Sequence, residues 1–210
     1  MDEKNEAPSI CATEGFSCYS DDRIYFKNAR GKDNYTMKNL KYSPFLLAAG
    51  TVILSLLYMK TSYGILLSLA ITFGTITYHF AMRLLTGLVF SDVMNNRADY
   101  RKKWYQVGKF EMSFYEKLKV KKWKQKMPTY DVDLFNPRIH TWDEIAQAMC
   151  QAELVHETIV VLSFLPIVEG IWFGAYPIFV ITSVLSAGFD MMFVMIQRYN
   201  RQRIMKIARL

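Results

Sequence analysis

One segment of the sequence carries residues whose types and spacing suit acid–base chemistry. Glu153 and His156 are three residues apart, so on a helix they lie on one face. An imidazole accepts a proton near neutral pH, and a neighbouring carboxylate can orient its ring. We therefore predict that His156 is a general base and that Glu153 positions it. The alternative is that the two are an ordinary pair on a helix surface, or that they bond a neighbouring helix.

Further polar candidates lie towards the C-terminus. Asp190 stands inside an apolar run, where an ionisable group is costly, so we predict that it faces a bundle interior and pairs with a polar group there. Gln197, Arg198, Asn200 and Arg201 follow where that run ends. Cations at this point suit a helix C-terminus and lipid phosphates, and Asn200 adds a neutral donor and acceptor.

A metal centre is an alternative reading of the Glu-x-x-His pair, because two such pairs build a di-iron carboxylate site. The other two histidines, His79 and His140, do not follow a glutamate at that spacing, and three histidines are too few for a membrane desaturase. Cys11 and Cys18 have a poor spacing for a metal site. We therefore predict no metal. The sequence also lacks a glycine-rich phosphate loop and a nucleophile elbow.

The elements that position these residues follow from the distribution of apolar residues. The 210-residue chain is 51% hydrophobic yet has a net charge of +7, and its apolar residues are concentrated in 43–90 and 158–196. A disordered chain is excluded by this content, and three cysteines do not make a disulfide scaffold. Two apolar blocks of this kind indicate a multi-pass membrane protein rather than a soluble globular enzyme.

Each apolar block is long enough for two helices and a turn, since a membrane-spanning helix needs about 20 apolar residues. We predict spans at 44–59, 65–82, 156–168 and 174–196. We expect 83–90 to be an interfacial extension, because it follows Arg83, and the second block to break at Pro166–Gly170. The expected fold is all-α, a polytopic membrane bundle of about four transmembrane helices in two hairpins, 44–90 and 156–197.

The segment between the hairpins is basic. Aromatic and aliphatic residues recur at helical spacings among lysines and arginines over 97–128. This pattern predicts a basic amphipathic helix that lies on an anionic membrane surface. Further along, Thr141 with Glu144 three residues later predicts a capping box at the start of a helix that runs to Pro166.

The positive charges predict the orientation in the membrane. Seven Lys and Arg lie in 1–43, thirteen in 83–157 and five in 197–210, which leaves only Lys60. The positive-inside rule therefore places both termini and the central loop in the cytoplasm. Because this rule accounts for the basic charge, we expect membrane lipids and no nucleic acid as partners. The predicted units are a polar cytoplasmic segment (1–40) and a membrane domain (41–210), which contains the central segment 91–155 and a basic C-terminal tail.

Three motifs occur in the order of a known family. They are Lys121-Lys122-Trp123-Lys124 with Met127-Pro128, Ala152-Glu153-Leu154-Val155-His156, and Gln197-Arg198-Tyr199-Asn200-Arg201. Through them, residues 110–210 resemble the glycosyl-4,4'-diaponeurosporenoate acyltransferase family of bacterial membrane proteins. Met127 stands where leucine is more usual in that family, and Gln202 stands where it has a proline. The family's named reaction is the last step of staphyloxanthin synthesis, which esterifies the sugar of a carotenoid glycoside with a fatty acyl group.

The resemblance implies a membrane acyltransferase that moves a fatty acyl group from an acyl thioester to a hydroxyl of a glycolipid, with a carotenoid glycoside as one candidate. Acyl-CoA or acyl carrier protein is the implied cosubstrate, with no tightly bound cofactor. Two alternatives stay open at this point. One is a non-catalytic lipid-binding or scaffold protein, and the other is a different lipid-modifying enzyme, such as a methyltransferase or a reductase.

The resemblance also implies roles for individual residues. His156 would be the catalytic base and Glu153 its orienting group. Trp123 and Lys124 would lie beside the acyl or phosphopantetheine arm of the donor. The residues implied to hold the donor phosphate or the sugar are Arg198, Asn200 and Arg201, with Gln197 and Asp190 completing the substrate-binding set.

Overall fold

The computed structural model of the chain describes residues 43–123, 127 and 133–208. Within these ranges the chain is helical and contains no β-strand. Four helical stretches in the described residues are long and apolar enough to cross a membrane: Ser43–Thr61, Gly64–Met94, Trp142–Phe173 and Tyr176–Ala208. The predicted all-α, multi-pass membrane fold is therefore confirmed. The predicted N-terminal unit, 1–40, lies outside the described residues.

The described part of the chain forms seven α-helices. These are α1 (Ser43–Thr61), α2 (Gly64–Met94), α3 (Lys109–Lys117), α4 (Val120–Trp123), α5 (Trp142–Leu162), α6 (Pro166–Phe173) and α7 (Tyr176–Ala208). Short 3₁₀ turns at Lys103–Tyr105 and Asp133–Phe135 lie in the connections.

Helices α1 and α2 are joined by two residues, and Ser62 takes a left-handed backbone conformation there, with φ 54°. The two helices approach closely at Gly50, where an added Cβ would lie 3.1 Å from the ring of Phe73. Such small residues let helix backbones pack tightly in a membrane.

Helix α2 continues through 83–90 and ends only at Met94. Its 31 residues span about 46 Å, which exceeds the roughly 30 Å of a bilayer core. Arg83 does not interrupt the helix, because its side chain turns to an acidic partner on α7, and whether 83–90 is an interfacial extension stays a prediction.

The second apolar block is divided twice, just before Pro166, where a break was predicted, and again at Gly174. Residues 166–170 belong to helix α6, and the chain turns at Gly174, whose φ of 66° is left-handed. Pro166 has no N–H to donate to the carbonyl of Leu162, so α5 ends and a new helix begins with the proline in its first turn. Glycine takes the left-handed conformation at Gly174 without the strain of a Cβ, which explains the turn there.

The segment between the two pairs of long helices is not one amphipathic helix, so that prediction is not confirmed. The chain instead forms the short helices α3 and α4, with Gly108 in an extended conformation before α3 and Lys119 at φ 56° before α4. The capping box at the start of α5 is confirmed. The Glu144 N–H donates to Thr141 Oγ1 at 3.3 Å, and the Thr141 N–H donates to Glu144 Oε2 at 2.8 Å.

The best-buried part of the structure is the contact between α5 and α7, where Ile145 and Met149 cluster with Ile204, and Met205 packs against the cluster that contains Ala146 and Cys150. The outer faces carry large exposed apolar side chains along all the long helices, among them Leu56, Leu85, Val161 and Leu185. An apolar exterior of this extent is what lipid would cover. The polar side chains of the site lie on the inner faces of α2, α5 and α7.

The turn between α6 and α7 allows a direct test. An added Cβ at buried Gly170 would lie 2.6 Å from two ring carbons of Tyr176, the first residue of α7. We expect Gly170→Ala to lower the free energy of unfolding by about 1–3 kcal/mol, because the Tyr176 ring must move. Gly188→Ala is the matched control in α7, since no atom lies within 4 Å of its added Cβ.

Thermal unfolding of the two variants in detergent measures the effect. The alanine at 188 should leave the melting temperature unchanged or raise it, because alanine favours a helix by about 1 kcal/mol over glycine. Equal melting temperatures for Gly170→Ala and the wild type would show that Gly170 does not set this turn.

Candidate functional site

A buried carboxylate joins three helices in the interior of the bundle. The side chain of Asp190 on α7 is only 1% exposed. Its Oδ1 lies 2.9 Å from Nδ1 of His156 on α5, and its Oδ2 accepts hydrogen bonds from Nε, at 3.0 Å, and Nη2 of Arg83 on α2. The prediction that Asp190 faces the bundle interior and pairs with a polar group is confirmed. We call Arg83, Asp190 and His156 the inner triad.

Arg83 is held by further acceptors. Its Nη2 donates to Ser186 Oγ at 2.9 Å, and its Nη1 donates to the carbonyl oxygen of His79 at 3.3 Å, one turn earlier in α2. Ser186 Oγ in turn lies 3.0 Å from Ser163 Oγ, where α5 ends. Hydrogen bonds to several fixed acceptors restrict the guanidinium to one orientation, and this orientation presents two of its nitrogens to Asp190.

The surroundings of His156 determine which of its ring nitrogens carries a proton and which can accept one. A carboxylate at Nδ1 favours a proton on that nitrogen, which leaves the Nε2 lone pair free to accept one. Nε2 forms no hydrogen bond to the described residues. The ring stacks on Phe193 at 4.6 Å between centroids, and the side chain is 23% exposed. An oriented imidazole with one accessible nitrogen is the arrangement of a general base.

Two buried side chains near the triad lack partners within the part of the chain that the structure describes. Both ring nitrogens of His79, one turn before Arg83, and the hydroxyl of Ser183, one turn before Ser186, are unbonded there. Buried polar atoms are seldom unpaired, since each costs about 1–3 kcal/mol. The interior beside the triad is therefore more polar than the apolar exterior of the bundle.

A second charged cluster lies closer to the end of α7. Glu153 on α5 is fully buried and receives hydrogen bonds from two arginines of α7: Arg198 Nη1 donates to its Oε1 at 2.5 Å, and Arg201 Nη1 donates to its Oε2. Arg201 is also fully buried, and its Nη2 donates to the carbonyl of Tyr105 at 2.5 Å. We call Glu153, Arg198, Arg201 and Glu111 of α3 the arginine clamp.

Every N–H of Arg198 has an acceptor in the protein. The acceptors are Glu111 Oε1 at 2.6 Å and Oε2 at 3.2 Å, Glu153 Oε1 at 2.5 Å, and the carbonyls of Trp104 at 3.0 Å and Gln106 at 3.2 Å. A guanidinium has five N–H groups, so none is left for a ligand. The clamp therefore binds the 104–111 segment to α5 and α7.

These contacts correct two expectations. Glu153 does not orient His156, because the two arginines of α7 take both of its carboxylate oxygens and Asp190 takes the imidazole. Arg198 has no N–H group left for a phosphate or a sugar, and Arg201 is fully buried with Glu153 and the Tyr105 carbonyl as its acceptors.

The other predicted site residues lie apart from the triad. Trp123 is half-buried and packs against a cluster of Tyr115, Val120, Ile196 and Tyr199. Gln197 and Asn200 are half-buried on α7, in the same turns as the clamp arginines. Lys124 lies outside the described residues. No group of three or more His, Cys, Asp or Glu in the described residues has the arrangement of a metal site.

Sequence reasoning missed Arg83 as a site residue and missed Glu111 and Ser186 entirely. Arg83 did carry a signal, because an arginine within an apolar run is costly unless a counter-charge meets it. Asp190 also lies deep in an apolar run and has the opposite charge, so this rule could have suggested that the two residues pair. Glu111 and Ser186 carried no comparable signal.

Comparison with known proteins identifies the family. A sequence model of glycosyl-4,4'-diaponeurosporenoate acyltransferase matches residues 101–210, more than half of the chain. The chain belongs to this family. No curated protein and no solved structure matches it. The match covers α3 to α7, with His156, Asp190 and the arginine clamp, whereas α2, which carries Arg83, precedes the residues matched to the acyltransferase family.

Glu111 is the member of the clamp that lies outside the long helices. Burial raises its pKa, but hydrogen bonds from Arg198 and Tyr115 outweigh burial and hold the pKa below its ordinary value. Burial and the hydrogen bond to Glu111 raise the pKa of the Tyr115 hydroxyl. The hydroxyl therefore keeps its proton and donates a hydrogen bond to the Glu111 carboxylate. The contact with Arg198 therefore favours the charged form of Glu111.

The pH dependence of stability tests this pairing. A carboxyl group whose pKa is lower in the folded state stabilises the fold fully above its ordinary pKa of 4.5, and this stabilisation is lost as the pH falls through the lower, folded value. We expect Glu111→Gln to lower the melting temperature at pH 7. The difference in melting temperature between this variant and the wild type should then become smaller as the pH falls below about 4.5.

Glu116→Gln, on the exposed side of α3, is the matched control and should leave the melting temperature nearly unchanged at every pH. If the melting temperatures of the wild type and Glu111→Gln differ by the same amount from pH 7 to pH 3.5, the ionised form of Glu111 contributes nothing to the stability of the fold.

Proposed function

We propose that this chain transfers a fatty acyl group from an acyl thioester, acyl-CoA or acyl carrier protein, to a hydroxyl of a glycolipid in the cell membrane. The single observation that carries the proposal is the 2.9 Å contact between His156 Nδ1 and Asp190 Oδ1, with the His156 side chain partly exposed. Family membership favours acyl transfer over the lipid-binding, methyltransferase and reductase alternatives.

His156 acts on the acceptor hydroxyl. Nε2 removes the hydroxyl proton as the oxygen attacks the thioester carbonyl, and a carbon–oxygen bond forms. The tetrahedral intermediate then collapses, the carbon–sulfur bond breaks, and the imidazolium returns its proton to the departing thiolate. The products are an ester and a free thiol, so protons and electrons balance without a further reactant.

Asp190 and Arg83 make this proton transfer feasible in an apolar bundle. The carboxylate stabilises the imidazolium that forms at His156 and keeps the proton on Nδ1. Arg83 supplies the counter-charge to buried Asp190, since an isolated charge in an apolar interior is costly. In this proposal Asp190 is a positioning residue and not a substrate ligand.

The location of the site suits a lipid acceptor and a water-borne donor. We propose that both termini and the central segment 91–155 face the cytoplasm, because the positive charges concentrate there. The arginine clamp then holds the 104–111 segment over the cytoplasmic ends of α5 and α7. A donor would approach from this side, and the acceptor would reach His156 from within the lipid layer.

Replacement of the base tests the mechanism. We expect His156→Ala to lower the rate of ester formation by about 10²–10⁴-fold, the usual contribution of a general base. His140→Ala is the matched control, because His140 lies before α5 and, among the described residues, its ring pairs with Glu144 at 3.6 Å. The assay follows a radiolabelled acyl chain from acyl-CoA or acyl carrier protein into the lipid extract of membranes that contain equal amounts of each variant.

Retention of wild-type activity by His156→Ala would remove His156 from the mechanism. If no variant, the wild type included, forms an ester from either donor with a broad set of glycolipid acceptors, the proposed reaction itself is wrong.

Arg83 gives a separate test. We expect Arg83→Met to lose activity by at least about 10-fold and also to unfold more easily, because removing one partner of a buried ion pair costs about 3–5 kcal/mol. The double variant Arg83→Met, Asp190→Asn removes both charges, so it should recover stability but not activity. Arg83→Lys keeps the positive charge but not the contact through two nitrogens, so its activity and stability should lie between those of the wild type and Arg83→Met.

Thermal stability and activity are measured on the same membrane preparations. Wild-type activity in the double variant would show that the pair serves folding alone and does not position His156.

A further inference from the structure

A groove of about 370 Å³ lies between α3 and the last turns of α7. Its polar lining comes from two elements: Lys109, Ser113 and Glu116 on α3, and Gln202 and Lys206 on α7, with Met112 as an apolar wall. Neither lysine forms an ion pair with the described residues. Among the described residues that line the groove, Glu116 is the single acid.

The short helix α3 has three distinct faces. Glu111 and Tyr115 point inwards to the arginine clamp, and Lys109, Met112, Ser113 and Glu116 face the groove. Phe110 and Phe114, one turn apart, form a third face and are 87% and 44% exposed. Exposed phenylalanines beside a basic groove do not suit water, but they suit the boundary between lipid headgroups and acyl chains.

We propose that this groove binds one anionic phospholipid. The headgroup phosphate lies between Lys109 and Lys206, the Ser113 hydroxyl and the Gln202 amide donate to headgroup oxygens, and the acyl chains lie against Phe110 and Phe114. Each part of an anionic phospholipid therefore meets its chemical complement. A zwitterionic lipid would bring a cation next to the two lysines, which disfavours it.

The position of α3 along α7 agrees with this occupant. Arg198, which holds α3 through Glu111, lies eight residues after Asp190, or about 12 Å along the helix axis. Helix α7 spans about 50 Å in total, more than the roughly 30 Å of a bilayer core, so its last turns extend out of the hydrocarbon. The groove at Gln202 and Lys206 lies on these turns, at the depth of headgroups.

The bound lipid would also support the arginine clamp. Glu111 and the groove residues share the nine-residue helix α3, so a lipid that holds one face of α3 holds the carboxylate on the other. Glu111 orients Arg198, and Arg198 contacts Glu153, one turn from His156. We therefore expect anionic lipid to increase the stability of the protein as well as to bind it.

Lipid retention tests the proposal without any turnover. The full chain is purified in detergent, exchanged against phosphatidylglycerol or phosphatidylcholine of the same acyl chains, and examined by native mass spectrometry. The wild type should retain one phosphatidylglycerol in preference to phosphatidylcholine. Lys109→Gln with Lys206→Gln should weaken phosphatidylglycerol binding by about 25-fold, at roughly 5-fold for each lysine near a lipid surface. Phe110→Ser should weaken binding of both lipids.

Lys117→Gln with Lys121→Gln is the matched control, because it removes the same charge from exposed lysines nearby that do not line the groove. It should bind phosphatidylglycerol as the wild type does. Equal weakening in both double variants, or equal retention of the two lipids by the wild type, would overturn the proposal. So would displacement of phosphatidylglycerol by acyl-CoA in a manner that needs the two groove lysines, since the groove would then serve the donor.

Binding of phospholipid in the groove does not depend on the catalytic role of His156. His156→Ala should retain phosphatidylglycerol fully even where ester formation is lost. Loss of transfer with lipid retention intact would bear on the proposed reaction, whereas loss of lipid selectivity in an active protein would bear on the groove alone.

Discussion

The structure depends on how one negative charge is kept inside an apolar bundle. Asp190 is almost completely buried, and an isolated ionised carboxylate is unstable in such surroundings. Its two oxygens meet Arg83 of α2 and His156 of α5, so three helices must lie at fixed positions around a single side chain. Apolar packing between membrane helices specifies orientation weakly, because lipid tails are as apolar as the helices. The triad therefore supplies specificity that the apolar contacts lack.

The arginine clamp applies the same constraint near the end of the bundle. Fully buried Glu153 and Arg201 would each be costly alone, and together with Arg198 they join α5 to α7. Backbone carbonyls of the 104–106 segment accept hydrogen bonds from both arginines, so a chain with little regular structure is fixed by side chains. The two charged groups differ, since every N–H of Arg198 has an acceptor in the protein, whereas Nε2 of His156 has no hydrogen-bond partner among the residues that the structure describes.

Sequence reasoning succeeded where one residue type determines the outcome. Asp190 inside an apolar run had to find a polar partner, and Thr141 with Glu144 contained the whole of a local capping motif. It failed where two outcomes compete. The spacing of Glu153 and His156 showed that they are neighbours, but it could not weigh a neighbour on the same helix against two arginines on another. The predicted break at Pro166–Gly170 matches the end of α5, but it missed the turn at Gly174, where the residue takes a left-handed conformation.

The position of Arg83 bears on how far the family match accounts for the site. The matched residues contain the imidazole and the carboxylate, but the counter-charge comes from α2, which lies outside the match. Without this arginine, Oδ2 of buried Asp190 would lose its two hydrogen bonds to Arg83 and the carboxylate would lose its counter-charge, which is costly in an apolar interior. The inner triad therefore needs a helix from outside the matched residues. Arg83 extends the candidate site beyond the sequence by which the family is defined.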